Sequence, residues 1–346
     1  MRILVAMSGG VDSAVAAAIL AEGGNDVVGA TMKLWGGSGD SGCCSISDVT
    51  DARRVADRLG IDHRVFNFTE EFDRAVVDAY VEDHRTGRTP NPCVVCNNEL
   101  KFGVFLERAR RLGFDAIATG HHARIVRRDD GTTDLSRGTD RDKDQSYVLS
   151  GLDQAALGSL LLPVGELHKS QVRAIAAERG LAVATKPDSQ DVCFIASRTP
   201  GLGRSAFLSE RIELHQGVVV DDGGVPVGQI PAVELVTLGQ RRGLGSDIEG
   251  ERRYAIDVDV ARRQVTVGPP ERLLTDAVAL TGRTWTREPL TPGDAIEVQI
   301  SAHGAPIAAT VTHDGIAYRE ASRRVAPGQI VASYRGDVVV GSGVAT

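Results

Sequence analysis

Apolar positions in the first 120 residues alternate between short β-branched runs and longer stretches with helical spacing. Ile3–Ala6 predicts a strand, Asp12–Glu22 an alanine-rich helix and Val27–Lys33 a second strand. After a Gly/Ser-rich loop from Trp35 to Ser47, the pattern continues with a helix at Asp48–Leu59 and a strand at His63–Phe68. Helices near Glu70–His84 and Glu99–Leu112 and a strand at Asp115–Thr119 follow. Strands separated by helices of this length make βαβ units and a parallel sheet covered on both faces, so an α/β, Rossmann-like amino-terminal domain is expected. Ligands on such sheets sit at the carboxyl ends of the strands.

Near residue 205 the pattern changes to short alternating runs, among them Val218–Val220, Ala255–Val260, Gln264–Val267, Ala295–Ile300, Ile307–Val311 and Gln329–Tyr334, broken by Asp-Gly, Gly-Gly and Pro-Pro turns. That spacing predicts two small, mainly β modules, the last a β-barrel, with a boundary near Pro269 or Leu273. The expected division is 1–205, 206–272 and 273–346.

Composition narrows the partners. With 46 acidic and 39 basic residues the net charge is −7, which excludes a uniformly basic nucleic-acid coat but leaves room for a local basic groove. No apolar stretch approaches the roughly 20 residues of a membrane span, and the MRILVAMSGG start lacks the apolar length of a signal peptide. A cytoplasmic location without membrane attachment is expected. The five cysteines (Cys43, Cys44, Cys93, Cys96 and Cys193) are an odd number in a large chain, which points to thiol chemistry or metal binding rather than a disulfide framework.

Strand one runs into Ser8-Gly9-Gly10-Val11-Asp12-Ser13 and then a helix. Glycines there let the backbone approach an anion, and the first-turn N–H groups point at it; tight turns also use such glycines for steric reasons alone. The string lacks the Lys of a Walker A loop and the dinucleotide fingerprint. Asp12 can help place Mg²⁺ or cap the helix. Pro90 and Pro92 stiffen the approach to Cys93-Val94-Val95-Cys96, near a helix start where a thiolate is stabilised. Cys193 stands alone between polar and apolar residues, either a small buried hydrophobe or a nucleophile.

SGGVDS, Thr89–Asn97 with Lys101-Phe102, Thr119–Arg124, Lys143–Tyr147, Asp188–Ile195 and Thr237–Gly245 together resemble the bacterial tRNA-specific 2-thiouridylases of the pyrophosphate-loop ATP pyrophosphatase superfamily. The resemblance covers nearly the whole chain. It implies ATP-dependent thiolation of the wobble uridine in tRNA: uracil O2 is a poor leaving group, adenylation activates it, and a sulfur nucleophile then reaches C2. It assigns the persulfide to Cys193 and the attacking or pairing thiol to Cys96. ATP contacts carried over are Ala6, Met7, Ser8, Gly9, Gly10, Val11, Asp12, Ser13, Met32 and Gly120, with Mg²⁺ as the accompanying ion. Asn91, Pro92, Cys93, His121, Lys143, Asp144, Gln145 and Gln329 carry over as tRNA contacts. A sulfur-donor protein, a cysteine desulfurase or relay, is the implied second partner.

Three departures matter. Many relatives carry Asp where this chain has Cys93, which removes a presumed acid/base group. It also leaves three soft ligands, Cys93, Cys96 and Cys193, that suit an iron–sulfur cluster with one open position, so the cluster and persulfide routes both stay open. Ser301-Ala302 are small where relatives carry a basic or aromatic pair, so one RNA contact is either missing or supplied by His303, and Val227–Pro231 diverges from the usual stretch. Two other readings compete: a different pyrophosphate-loop ligase, which would not need Cys96, Cys193 or the β modules, and an RNA-binding or sulfur-carrier protein without transfer activity. Thirty-four of the 39 basic residues are Arg, which suits bidentate phosphate contact; base-composition bias gives the same ratio.

Overall fold

Five parallel strands form the amino-terminal sheet of the computed structural model, which describes residues 1–35, 45–188, 192–195, 203–245 and 253–346. Cys43, Cys44 and part of the Asp188–Ile195 motif lie outside the described residues. The strands are β1 (Arg2–Ala6), β2 (Asp26–Lys33), β3 (Asp62–Asn67), β4 (Ala116–Ala118) and, further on, β7 (Leu160–Leu161), in the order β3-β2-β1-β4-β7. Alternation along β1 sends its side chains to two cores. Ile3 and Val5 pack with α1 (Val11–Glu22) and α2 (Ile46–Leu59), whereas Leu4 and Ala6 face Phe68, Leu100 and Phe105. Ala14, Ala16, Ala17 and Ala18 are buried, so α1 lies close on the sheet. Chain order reverses between β1 and β4, which opens the crevice where such sheets bind ligands.

The helices differ from expectation in their winding. α3 (Thr69–Phe72) passes through a π-wound turn, Asp73–Val77, into α4 (Asp78–Arg85). α5 (Pro92–Val95) passes through a longer π segment, Cys96–Val104, into α6 (Phe105–Arg111). Helix therefore begins at Pro92 rather than Glu99, and both Cys93 and Cys96 lie in its first turns. Asn91 caps it by accepting from the Val94 N–H at 3.3 Å, and Pro92 occupies the first helical position, where its missing N–H costs nothing. α2 starts two residues earlier than expected because Ser45 caps it, accepting from Asp48 N–H at 3.1 Å.

β5 (Ala123–Arg127) and β6 (Thr133–Arg137) form a hairpin that the hydrophobic pattern did not announce. α7 (Gln154–Leu157), α8 (Lys169–Glu178) and α9 (Arg204–Ser209) complete the helices. The central unit is a sheet of β8 (Gly217–Val220), β9 (Pro226–Ile230), β10 (Tyr254–Asp259) and β11 (Gln264–Gly268) in the order β10-β11-β8-β9, with β8 and β11 parallel. The carboxyl-terminal barrel uses β12 (Leu274–Trp285), β13 (Ala295–Gln299), β14 (Ile307–Val311), β15 (Gly315–Arg323), β16 (Ile330–Arg335) and β17 (Val338–Ala345). Pairing of β12 with β17 closes it. The expected fold class, a Rossmann-like domain followed by small β units ending in a barrel, is the one observed.

The barrel is sewn to the first domain. β6 pairs with β17, Leu135 opposite Val339, and Ile330, Ala332, Tyr334 and Val339 share a core with Leu4 and Phe105. Arg137 donates to Asp144 and Gln299 and stacks 3.8 Å over the Tyr334 ring; Tyr147 O–H donates to Ile330 O at 2.8 Å.

Candidate active site

The crevice at the end of β1 and β4 is a cavity of about 590 Å³. Its floor is the phosphate loop. Gly9 has φ +72°, and a Cβ there would stand 2.4 Å from the Asp48 carbonyl oxygen, so only glycine fits. Gly10 caps α1 with extended backbone and no side-chain bond, which leaves the helix's first N–H groups to an anion. Ser13 accepts from Ser8 N–H at 3.2 Å and donates to Gly10 O at 3.1 Å, fixing the loop's shape. Gly120 lies against the start of α1: an added Cβ would come within 2.5 Å of Asp12 C and Ser13 N.

A chain of charges runs from that loop. Asp12 accepts from Lys169 Nζ through both oxygens, at 2.8 and 2.7 Å, and from His122 Nε2 at 3.1 Å. Burial pushes the Asp12 carboxyl up, but these hydrogen bonds and charges outweigh it and hold the group below its usual value. Asp188 is gripped by Lys143 and Lys169, each at 2.9 Å, and by Arg173 at 2.8 Å; burial opposes its ionisation, yet the two lysines bring it to about 2. His121 sits beside them. Burial, then the charge of Lys101, pushes it well below its usual value, so it meets a substrate as a neutral imidazole.

Cys93, Cys96 and Cys193 line the same cavity from two directions. The first two come from the helix start; Cys193 comes with Phe194, whose ring packs against Tyr80, Phe72 and Phe207 at 5.4, 5.6 and 5.2 Å. Cys96 is buried, while Cys93 and Cys193 are half-buried. Among the described residues, no group of three or more His, Cys, Asp or Glu side chains is arranged to hold a metal ion. The three-thiol cluster, which the sequence left open beside the persulfide route, thus has no metal-holding arrangement among the described residues, although all three thiols line this cavity. Both oxygens of Asp12, the residue read as a possible Mg²⁺ ligand or helix cap, accept from the Lys169 ammonium.

Most candidate residues meet in this one space. Ala6, Met7, Ser8, Asp12, Ser13, Met32 and Gly120 line it together with Pro92, Cys93, Cys96, His121, Lys143, Asp144, Gln145 and Cys193. Gly9, Gly10 and Val11 belong to the same loop but are not among the residues lining the cavity, and Asn91 acts as the helix cap. Asp144 turns inward, accepting from Gly138 N–H, Ser146 N–H and Oγ–H, and Arg137, and Gln145 accepts from His122 N–H at 2.9 Å. Gln329 stands outside the cavity; its Nε2 donates to Thr89 O at 2.7 Å, bracing the approach to Pro92 from the barrel. Small Ala302 and His303 complete the rim from the barrel side.

Sequence reasoning missed His122, Lys169 and Asp188 as site groups. A signal was present in the scarcity of lysine. Of five lysines in the chain, Lys101, Lys143 and Lys169 line the cavity, and Lys186 holds Asp48 and Asp51 beside Gly9 at 2.7 and 2.6 Å. In a chain that otherwise uses Arg, a retained Lys marks a place where a compact ammonium is needed.

The family model described as tRNA methyl transferase HUP domain matches residues 1–197, and that described as aminomethyltransferase beta-barrel domain matches residues 276–345. The chain is 46% identical over 366 residues to the tRNA-specific 2-thiouridylase MnmA of Mycolicibacterium smegmatis, covering 100% of this chain and 99% of that protein. It is 43% identical over 357 residues to the protein of that name from Geobacter metallireducens, covering 99% and 96%. The corresponding figures for Cutibacterium acnes are 44% over 358 residues, covering 99% and 95%.

Proposed function

The chain belongs to the tRNA-specific 2-thiouridylase family, and from that premise we propose how its residues perform ATP-dependent 2-thiolation of a tRNA uridine. It is a tRNA sulfurtransferase that uses ATP. The observation that carries the residue assignment is the single cavity uniting a phosphate loop with Cys96 and Cys193. A tRNA methyltransferase would have no use for that pairing.

ATP lies with its phosphates on Ala6–Ser13 and its base toward Met32 and Gly120. The wobble uridine enters beside Pro92, Cys93 and neutral His121, with Lys143 and Gln145 on the RNA side. Uracil O2 attacks the α-phosphorus, N3 loses its proton, and pyrophosphate leaves. The terminal sulfur of a Cys193 persulfide then attacks C2. Cys96 thiolate takes the Cys193 sulfur, the S–S bond of the persulfide breaks, AMP departs from C2 and N3 regains a proton from water, leaving 2-thiouridine and a Cys96–Cys193 disulfide. A thiol reductant and a sulfur-donor protein restore the persulfide. Mg²⁺ enters on the nucleotide's phosphates, and no step is assigned to it or to a cluster.

This reading places the work of ATP in residues 1–205 and of RNA support in 206–272 and 273–346, in the cytoplasm. Among the described residues no helix is long and apolar enough to cross a membrane. Purified protein with ATP, Mg²⁺, a persulfide donor and unmodified tRNA should form 2-thiouridine, and iron-free protein should do so fully. Cys96→Ser and Cys193→Ser should each abolish the product while leaving ATP binding intact. Equal activity from Cys193→Ser overturns the sulfur route, and a strict iron requirement favours the cluster.

A further inference from the structure

Three cysteines line the cavity, and the sulfur route uses only two of them. Each turnover leaves Cys96 joined to Cys193, and no further uridine is thiolated until that bond opens. Cys96 is the buried member of the set, with 8% of its surface exposed, whereas Cys93 is half-buried. A reductant from solution thus meets Cys93 more readily than the sulfur that has to be reduced.

Cys93 stands three residues before Cys96 in one continuous helical run. Val95 and Cys96 have φ/ψ of −58/−46° and −59/−41°, and the Cys96 N–H is shared between Pro92 O and Cys93 O. A donor divided between the fourth and third carbonyls back marks a turn drawn toward the tighter 3₁₀ winding, in which side chains three apart eclipse. Helical Cα atoms at that spacing are about 5 Å apart, within the range of about 4.4–6.8 Å that a disulfide spans. The turn is braced on its entry side. Asn91 caps it, and Thr89 is tied to the barrel, donating to Pro327 O and accepting from Gln329 Nε2, both at 2.7 Å. Cys93 and Cys96 are therefore held together by the chain itself, while Cys193 comes to them from another segment.

We propose that Cys93 is the resolving thiol of the reaction. Once sulfur has passed to the uridine, the Cys93 thiolate attacks the Cys96 sulfur; a Cys93–Cys96 bond forms, the Cys96–Cys193 bond breaks, and Cys193 leaves as a thiolate. The proton that Cys93 gives up to water balances the one that Cys193 takes, and no electron is gained or lost. A dithiol reductant then opens the Cys93–Cys96 bridge from its half-buried end, supplying two electrons and two protons and leaving as a disulfide. Two thiols held in one turn have the advantage of proximity over any reductant in solution. The exchange moves the oxidised bond off the sulfur-carrying residue, so Cys193 can be loaded again while Cys96 awaits reduction.

The inference rests on the Cys96–Cys193 route of the proposed function, and its test separates the two. Iron-free, full-length protein loaded with persulfide is given ATP, Mg²⁺ and unmodified tRNA for a single turnover without reductant, and samples are quenched in acid and alkylated at timed intervals. Trypsin cuts after Arg88 and Lys101, so Cys93 and Cys96 leave on one peptide and Cys193 on another. Mass spectrometry then tells an internal bridge from a cross-linked pair. Wild type should show Cys96–Cys193 first and, at the end, about tenfold more Cys93–Cys96, a gap of about 30 mV between the two couples. Cys93→Ser, whatever its rate, should stop at Cys96–Cys193, one bridge for each 2-thiouridine formed. The wild-type map decides the matter even if that variant does not fold. A wild-type end point of Cys96–Cys193, or a Cys93–Cys193 bridge, overturns the exchange alone. 2-Thiouridine formed with no disulfide overturns the sulfur route and the exchange with it, and loaded protein that forms no 2-thiouridine overturns both along with the proposed function.

Discussion

Replacing Gly120 by alanine tests the site at its tightest point. The new Cβ would stand 2.5 Å from Asp12 C, 2.5 Å from Ser13 N and 2.9 Å from Asp12 Cβ. The first two are backbone atoms in the first turn of α1, so no side-chain rotation relieves them. Gly120 is not among the residues with positive φ, and alanine therefore brings no backbone strain of its own. Restoring ordinary contact distance takes about 1 Å of movement between β4 and the start of α1. Overpacking of this kind costs about 1–3 kcal/mol of stability, and a misplacement of about 1 Å in a reacting geometry costs about 10²-fold in rate, or about 2.7 kcal/mol of transition-state stabilisation. The assay is tRNA-dependent AMP release at varied ATP, with persulfide loading of Cys193 measured separately. kcat/KM for ATP should fall about 10²-fold, while persulfide loading, which needs no nucleotide, stays near wild type. Gly203→Ala is the control, since a Cβ there meets nothing within 4 Å. A folded Gly120→Ala enzyme within threefold of wild type would refute the close-packing account of the loop.

Asp188 predicts an acid limb in stability. Its carboxyl is lowered from 3.8 to about 2 against the pull of burial, by Lys169 and then Lys143; a lowered group stabilises the fold above its unfolded pKa, so the contribution is present above about pH 4 and fades as pH falls toward 2. Urea midpoints of wild type and Asp188→Asn should differ at neutral pH and converge near pH 2; a gap that persists there contradicts the assignment. Gln329→Ala removes the 2.7 Å bond to Thr89 O, worth about 1 kcal/mol. Single-turnover sulfur transfer should slow while KM for ATP is unchanged, and a parallel change in that KM would count against the bracing role. Arg137→Leu strips the buried Asp144 and Gln299 of their cation and should cost about 3 kcal/mol in denaturant unfolding; a loss under about 1 kcal/mol would show the interface is held by packing instead.

Much of the parallel sheet was legible because each strand is a short apolar run between helices of ordinary spacing. The hairpin was not. Every residue of β6, Thr133–Arg137, is buried, yet four of the five are polar, so alternation carries no signal. Their partners lie elsewhere: Thr133 is met by Gln154, Asp134 by Arg128 and Arg287, Arg137 by Asp144 and Gln299. Helix winding was equally hidden, since nothing local distinguishes the π segment at Cys96–Val104 from an α-helix. At the site, residues with a chemical signature, the glycines and cysteines, were found from sequence. Lys169 and Asp188 were not, because a lysine and an aspartate gain meaning only from being brought together across 19 residues of chain.

The pairing of β6 with β17 also sets a condition on how this chain is made. Leu135 and Ser136 meet Val339 and Val338, which leave the ribosome about 200 residues later, or about 10–40 s at ordinary bacterial rates of synthesis. For that interval the amino-terminal domain carries an open strand edge whose partner has not been translated. A nascent chain stalled after residue 272 should thus be a client of chaperones and prone to edge-to-edge association, and the barrel serves as the clasp that finishes the catalytic domain at the close of translation.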